Sequence, residues 1–321
     1  MMDELHASLD STLTEEARAT SAQIRALMQG VEVIHLPTYR RVERALMRKP
    51  SRGRGGRADG RGMPGQPEHA DMMFGLADVE QRLAGLSEDI ERRSNLEYRA
   101  LSARMLDELL RGAGDKTRAF TLQDLPHLDS LFRFLGRVGG KKDRAITLYQ
   151  GVEQLYETGD IEKPGNWFVG YFLSRLGTVI DQTKETEQMI ERFVSVCNGY
   201  LTLTSDEKSI DFDAETLRVS VKNKMIDAEI SLDDLSSGEK QIVSLMSTLY
   251  LDYKPKIVLI DEPELSLSID WQRKVLPDVA NSPSVEQLLA ITHSPFVFDN
   301  ELDGCAKPLK VRPSEEQYVS R

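Results

Sequence analysis

The stretch KIVLIDEPELSLSIDWQRK, residues 256–274, decides the fold class of this chain. Residues 257–260 are four consecutive apolar residues, a run typical of a strand that is buried on both faces. Two carboxylates, Asp261 and Glu262, follow where that strand should end. Ligands of parallel sheets bind beyond the carboxyl ends of the strands. We therefore predict a buried parallel strand that presents an acidic pair at the ligand edge of an α/β sheet.

This acidic pair has a chemical use in the binding of a nucleoside triphosphate. A hard cation such as Mg²⁺ prefers carboxylate oxygen, and Asp261 is well placed to supply it. Glu262 could polarise the water that attacks a terminal phosphate, as a positioning group and general base. The alternative is that both are solvated acids after an ordinary strand.

A second strand is predicted in AITHSPF, residues 290–296, which ends in Thr292 and His293. Between the two strands the segment SIDWQRK reads as a helix, and such alternation predicts a parallel sheet. A histidine beyond a strand end can donate a hydrogen bond to a phosphate oxygen. A purely structural histidine is the alternative.

A third segment, LSSGEKQ at residues 235–241, begins a predicted helix with Ser236, Ser237 and Gly238. Free backbone N–H groups, serine hydroxyls and a glycine at a helix start together suit an anion. The alternative is an ordinary helix cap in which Ser236 pairs with Glu239. The three segments follow one another within about sixty residues at the edge of the same predicted sheet.

Together, LSSGEKQ, IVLIDEPELSL and ITHSPF resemble the signature motif, the Walker B strand with its D-loop and the switch-histidine segment of ABC-type P-loop ATPases. The resemblance is closest to the subgroup of the OLD, RecF and structural-maintenance-of-chromosomes proteins, often labelled AAA family ATPases in bacteria. HLPTYRRVE and MMFGLADVE also resemble segments of bacterial members, including ATPases of anti-phage defence systems. The resemblance covers residues 31–44, 72–83 and 230–300. It implies an α/β fold, the C-terminal lobe of an ABC-type P-loop NTPase with a parallel sheet, plus a long helical arm or insertion.

The resemblance also implies roles for particular residues, with ATP and Mg²⁺ as the ligands. Asp261 would hold Mg²⁺, Glu262 would position water, and His293 would sense the γ-phosphate. The residues expected to bind the nucleotide held by an opposing subunit, or to line the dimer interface, are Ser236, Ser237, Gly238, Glu239 and Asp270.

No stretch of the sequence fits the phosphate-binding pattern G-x-x-x-x-G-K-[ST], which the family carries near its N-terminus. GRVGGKKD, residues 136–143, has neither the glycine spacing nor the hydroxyl residue. Three explanations are open: a truncated gene or start site, an ATPase split over two polypeptides, or a degenerate subunit that lends its signature motif to a partner. We expect a homodimer or a partner chain that supplies the Walker A loop.

Four regions are predicted along the chain; composition and periodicity give their elements, and the resemblance implies which of them belong to the ATPase lobes. Helix is expected over residues 3–29, 76–113, 143–158 and 167–197, and short strands after Gly199 in YLTLT, SIDF and LRVSV. The regions are residues 1–44, a remnant of the N-terminal ATPase lobe; 45–70, a basic Gly/Arg loop; 71–198, a helical arm; and 199–321, the C-terminal ATPase lobe.

The net charge of −11 argues against a protein that coats nucleic acid over its whole surface. Residues 40–61 nevertheless hold nine basic side chains against two acids, so this Arg40–Arg61 segment could contact DNA, or could simply be a solvated loop.

The two cysteines, far apart, fit a reducing cytoplasm, and no membrane segment is expected. The histidines lack nuclease-like metal spacing, so any nuclease effector should be another chain.

Two functions from different classes therefore stand. The first is ATP binding and hydrolysis by a dimeric ABC-type ATPase in anti-phage defence or DNA maintenance, although this chain alone could be inactive without a Walker A loop. The second is a non-catalytic interaction subunit that binds DNA or a nuclease and lends its signature motif to another ATPase chain. A transporter ATPase fits less well, because of the long helical insertion and the glutamate at 239.

Overall fold

The computed structural model describes residues 15–36, 76–111, 120–138, 142–204 and 207–309. The helices in these ranges are α1 (Glu15–Leu27), α2 (Leu76–Leu110), α3 (Leu128–Val138), α4 (Lys142–Glu157), α5 (Trp167–Leu201), α6 (Ser237–Tyr250) and α7 (Ile269–Ala280). The strands are β1 (Glu32–Leu36), β2 (Lys208–Asp213), β3 (Arg218–Asn223), β4 (Ala228–Ile230), β5 (Lys256–Asp261) and β6 (Val285–Ile291). Among the described helices, none combines the length and the apolar character that crossing a bilayer requires.

The chain divides into two compact units, and the boundaries fall at 73/74 and 252/253. The first unit, residues 1–73 with 253–321, contains the parallel sheet. The second unit, residues 74–252, contains the long helices and the antiparallel sheet. Residues 199–252 therefore group with the helical region, whereas the sequence analysis placed them with the C-terminal strands.

The parallel sheet of the first unit has the strand order β1-β5-β6, with β5 in the centre. This confirms the predicted α/β class with a parallel sheet. One face is the core face, where Ile34, Val258 and Ile260 are 1%, 0% and 2% exposed. The opposite face carries exposed apolar side chains, and they include Leu289 and Ile291 of β6.

The second unit is built on two helices of 35 residues, α2 and α5, which pack against each other. Helix α6 packs on both of them, and four of its residues are fully buried: Ile242, Val243, Met246 and Leu249. A three-stranded antiparallel sheet, β2-β3-β4, completes this unit. The amide side chain of Asn198 ties it to α5, because it donates to Ile210 O (2.8 Å) and accepts from Ile210 N (2.7 Å).

One predicted strand is wrong. YLTLT, residues 200–204, alternates apolar and polar residues, but α5 continues to Leu201 and a turn follows. Tyr200 and Leu201 are both fully buried, so the helix buries the side chains that the strand prediction assigned to alternate positions. The strands predicted in SIDF and LRVSV are confirmed as β2 and β3. Residues 3–14 of the predicted first helix lie outside the described residues.

Candidate functional site

The carboxyl ends of β5 and β6 lie side by side, as the sequence predicted. Asp261 ends β5 and is in register with Ile291, the last residue of β6. The parallel ladder extends one step further, because Glu262 N donates to Ile291 O at 2.8 Å. Asp261 and Glu262 therefore stand at the same edge of the sheet as Thr292 and His293.

Glu262 adopts a left-handed backbone conformation, with φ = +50°. For a residue with a β-carbon this conformation costs on the order of 1–3 kcal/mol and persists only where the surroundings impose it. The hydrogen bond from Glu262 N to Ile291 O, and the one that Glu262 O accepts from Leu265 N at 3.3 Å, hold it in place. Such strain is concentrated at functional sites, so it supports a chemical role for this residue.

The side chains of Glu262 and His293 face each other without bonding. His293 Nε2 lies 3.9 Å from Glu262 Oε1, and the His293 side chain is 82% exposed. This separation exceeds hydrogen-bond length. Both groups are therefore available to a third molecule such as water or a phosphate.

Glu264, which the sequence analysis did not single out, links the two loops at this edge. Its Oε2 accepts a hydrogen bond from Thr292 Oγ1 at 2.7 Å, and its Oε1 accepts from His293 N and Ser294 N at 2.9 and 3.1 Å. Glu264 thus binds all three residues of the histidine loop, residues 292–294. A carboxylate that accepts several such bonds makes a stronger contact than a neutral acceptor would.

Helix α7 braces the same loops through Gln272. Ser294 Oγ donates to Gln272 Oε1 at 2.7 Å, and Gln272 Nε2 donates to Leu267 O at 3.0 Å. Asp270, the expected D-loop residue, lies in the first turn of α7 with a side chain 79% exposed, and Arg273 is 3.9 Å away. Its predicted place at a dimer interface stays a prediction.

The LSSGEKQ segment forms the start of α6 in the second unit. Ser236 is the N-cap, and its Oγ accepts from Glu239 N at 3.4 Å, while Glu239 Oε2 accepts from Ser236 N at 2.6 Å. This is the capping box that the sequence offered as the alternative to an anion site. Ser236 and Ser237 are exposed and Gly238 is buried, so both serine hydroxyls remain accessible from outside the unit.

Glu239 also makes a buried ion pair that sequence reasoning missed. Lys208 Nζ, on β2, lies 3.0 Å from Glu239 Oε2, and the two side chains are 8% and 2% exposed. A buried charge is tolerated when it is paired and hydrogen-bonded. In this structure the Glu239 carboxylate therefore supports the LSSGEKQ segment from the inside, whereas the sequence analysis expected it to contact nucleotide.

A metal at this edge would depend on a bound nucleotide. Across the described ranges, no three or more His, Cys, Asp and Glu side chains are grouped to hold a metal ion. Mg²⁺ in nucleotide sites is bound by one or two carboxylates together with phosphate oxygens and water, so a single carboxylate at Asp261 fits that chemistry. The Arg40–Arg61 segment, the expected DNA contact, lies outside the described residues.

Residues 204–299 match the family model described as "AAA domain, putative AbiEii toxin, Type IV TA system". The match covers less than a third of the chain and includes the LSSGEKQ segment, the acidic pair and the histidine loop. It supports an AAA-type domain of the P-loop ATPase family over these residues. The finer assignment to one subgroup goes beyond this match.

Two individual proteins are similar to the chain. Septu protein PtuA of Bacillus thuringiensis is 26% identical over 146 residues, which cover 41% of this chain and 35% of PtuA. The chain thus spans about a third of the length of this curated relative. The Smc head domain with an extended coiled coil bound to the C-terminal domain of ScpA, from Pyrococcus furiosus, aligns at 11% identity over 82% of this chain and 56% of that chain. Its TM-score of 0.29 is too low to support an argument about fold.

Proposed function

We propose that this chain is a catalytic half of an ABC-type ATPase of the OLD, RecF and SMC-like subgroup. The observation that carries the proposal is the shared edge of β5 and β6, where Asp261, a strained Glu262 and an exposed His293 meet. A metal-binding carboxylate, a water-positioning carboxylate and a donor to phosphate oxygen are the groups that phosphoryl transfer to water needs. The AAA-type match over residues 204–299 supports the same reading.

In the proposed site each side chain has one task. Asp261 binds the Mg²⁺ that neutralises the phosphate charge. Glu262 orients and partly deprotonates the attacking water, and its half-buried carboxylate beside the exposed His293 leaves room for that water. His293 donates a hydrogen bond to the γ-phosphate oxygen and stabilises the charge that develops there.

Two further parts complete the proposed cycle. The exposed Ser236 and Ser237 hydroxyls contact the nucleotide bound by an opposing subunit, so that ATP joins two subunits and hydrolysis releases them. The phosphate-binding loop of the proposed site is supplied from outside residues 1–321, by a preceding part of the same protein or by another chain. One face of the parallel sheet carries exposed apolar side chains: Val33, Leu289 and Ile291 are 48%, 58% and 59% exposed. Parallel sheets are normally covered on both faces, so this exposure supports the proposal that further polypeptide packs on that face.

We further propose a role in anti-phage defence, which rests on the 26% identity to Septu protein PtuA. A nuclease partner and a DNA contact through the Arg40–Arg61 segment belong to the same proposal. The helices α2 and α5, each 35 residues long and packed against each other, offer an arm through which the ATP cycle acts on such a partner.

The proposal predicts Mg²⁺-dependent ATP turnover by the purified chain once a polypeptide with a G-x-x-x-x-G-K-[ST] loop is added. The chain alone should bind ATP weakly, because the lysine that contacts the β- and γ-phosphates is supplied by the added loop. Turnover is measured by phosphate release, and association by sedimentation with and without a slowly hydrolysed ATP analogue. Absence of turnover together with absence of nucleotide-dependent association would contradict the ATPase assignment and favour a non-catalytic interaction subunit.

A second prediction concerns the metal. Asp261→Asn should raise the Mg²⁺ concentration for half-maximal turnover by about 10- to 100-fold, the range that loss of even an outer-shell ligand partner causes. The substitution keeps the shape of the side chain but removes the charge that a hard cation prefers. Asp278→Asn is the matched control, because Asp278 pairs with Lys274 within α7. An unchanged Mg²⁺ requirement in Asp261→Asn would exclude Asp261 as the metal ligand.

A further inference from the structure

We infer that Glu264 is a positioning residue of this site, and that it acts on the reaction by fixing the histidine loop. The inference rests on the proposed function, since His293 is the group that Glu264 positions. It adds a residue to the site that neither the motif resemblance nor the similar proteins assign a role.

The contacts of Glu264 are directed to the backbone of the histidine loop. Two consecutive N–H groups, those of His293 and Ser294, point at one oxygen, and the Thr292 hydroxyl donates to the other. Thr292 Oγ1 in turn accepts from Ser294 N at 3.0 Å. One half-buried carboxylate thus satisfies donors from three successive residues, 28 to 30 positions further along the chain.

The exposure of His293 explains why this backbone contact decides where the imidazole stands. The ring is 82% exposed, and it lies 3.9 Å from the Glu262 carboxylate, beyond hydrogen-bond length. Packing therefore constrains the ring weakly, and the position of its α-carbon depends on the hydrogen bonds to Glu264. Glu264 is itself held in place, because its carbonyl oxygen accepts from Leu267 N at 3.1 Å.

Glu264 connects the loop that carries Glu262 to the loop that carries His293. Glu264 is two residues after Glu262 in the loop that follows β5, and it holds the loop that follows β6. Glu264 is therefore one of the contacts that set the distance between the water-orienting carboxylate and the phosphate-contacting imidazole, beside the Glu262 N–Ile291 O bond and the Ser294–Gln272 bond. Reacting groups must be held within a fraction of an ångström of productive geometry, and a shift of 1 Å can lower the rate by about 10²-fold.

The test compares Glu264→Ala with Glu264→Gln in the turnover assay with the added phosphate-loop polypeptide. Alanine removes all the acceptors and should lower kcat by about 10²-fold. Glutamine keeps an oxygen for the two N–H donors, but neutral hydrogen bonds are about half as strong, so a loss of about tenfold or less is expected. Glu286→Ala, an exposed acid on β6, is the matched control and should not change kcat.

A double variant separates positioning from general damage to the site. If Glu264 acts through His293, then adding Glu264→Ala to His293→Ala should lower kcat little further. A multiplicative loss in the double variant, or wild-type kcat in Glu264→Ala, would overturn the inference. Should the alanine variant fold poorly, Glu264→Gln combined with Thr292→Val carries the same comparison with smaller changes of shape.

A measurement without nucleotide keeps the inference separate from the proposed function. Hydrogen exchange of the peptide that contains residues 291–297 should be faster in Glu264→Ala than in the wild type, since His293 N loses its acceptor and Ser294 N keeps only Thr292 Oγ1. Unchanged exchange overturns the positioning role whether or not the protein turns over ATP. If the wild type with the added phosphate-loop polypeptide shows neither turnover nor nucleotide-dependent association, while exchange is faster in the variant, the proposed function is contradicted and the contact itself is established.

Discussion

Glutamine in place of Glu262 is expected to lower ATP turnover by about 10²- to 10⁴-fold, the contribution typical of a general base. The amide is close to the carboxylate in size, so the φ of +50° and the hydrogen bond from residue 262 N to Ile291 O should persist. What is lost is the negative charge that polarises water. Nucleotide binding and nucleotide-dependent association should therefore remain, because those depend on the metal and the phosphate contacts.

The measurement is phosphate release by the chain with the added phosphate-loop polypeptide, together with binding of a fluorescent ATP analogue. Glu286→Gln makes the same chemical change at an exposed position on β6 and should leave both quantities unchanged. Turnover by Glu262→Gln close to that of the wild type would show that another group activates the water. Loss of binding along with turnover would point to a structural role for Glu262.

The parts of the site that the sequence predicted are those encoded in short, contiguous segments. The buried run at residues 257–260 and the acids after it specify a strand and its ligand edge, and the structure places Asp261 opposite Ile291. The neighbour on the other side, β1, comes from residues 32–36, more than two hundred positions earlier. Local periodicity does not determine which distant segment pairs with β5.

The residues that the sequence analysis missed act over long separations. The local sequence DEPELS does not distinguish Glu264 from a solvent-exposed acid in a loop. Only its contacts with residues 292–294 show its role. Lys208 was not singled out from the sequence either, yet it pairs with Glu239, 31 residues away. Side chains whose partners lie in other elements leave no periodic signal.

The same limit explains the strand wrongly predicted at residues 200–204. Its Tyr and Thr residues favour a β-strand by propensity, but propensity is a weak prior that tertiary packing overrides. Tyr200 and Leu201 are 0% exposed at the end of α5. Burial of these two large side chains stabilises another turn of helix more than alternation stabilises a strand.

The Lys208–Glu239 pair supports the second prediction of large effect, a loss of about 3–5 kcal/mol in the free energy of unfolding for Lys208→Met. Methionine fills the space of the lysine stem but leaves the Glu239 carboxylate, 2% exposed, without its cation. Glu239 also accepts from Ser236 N at 2.6 Å, so the cap of α6 is expected to loosen with it. The free energy is measured by urea unfolding followed by circular dichroism.

Two comparisons decide whether the burial of the Lys208–Glu239 pair causes the expected loss of stability. Lys222→Met breaks an exposed pair with Asp211 in the same antiparallel sheet, where the side chains are 55% and 49% exposed, and it should have little effect on stability. Adding Glu239→Gln to Lys208→Met removes the unpaired buried charge and keeps an oxygen for Ser236 N, so it should restore most of the loss. The inferred support of the LSSGEKQ segment would be contradicted if Lys208→Met lowered the free energy of unfolding as little as Lys222→Met does. It would also be contradicted if the double variant were no more stable than Lys208→Met. Recovery in the double variant would instead show that the charge of Glu239, rather than its hydrogen bond to the cap, makes Lys208 necessary.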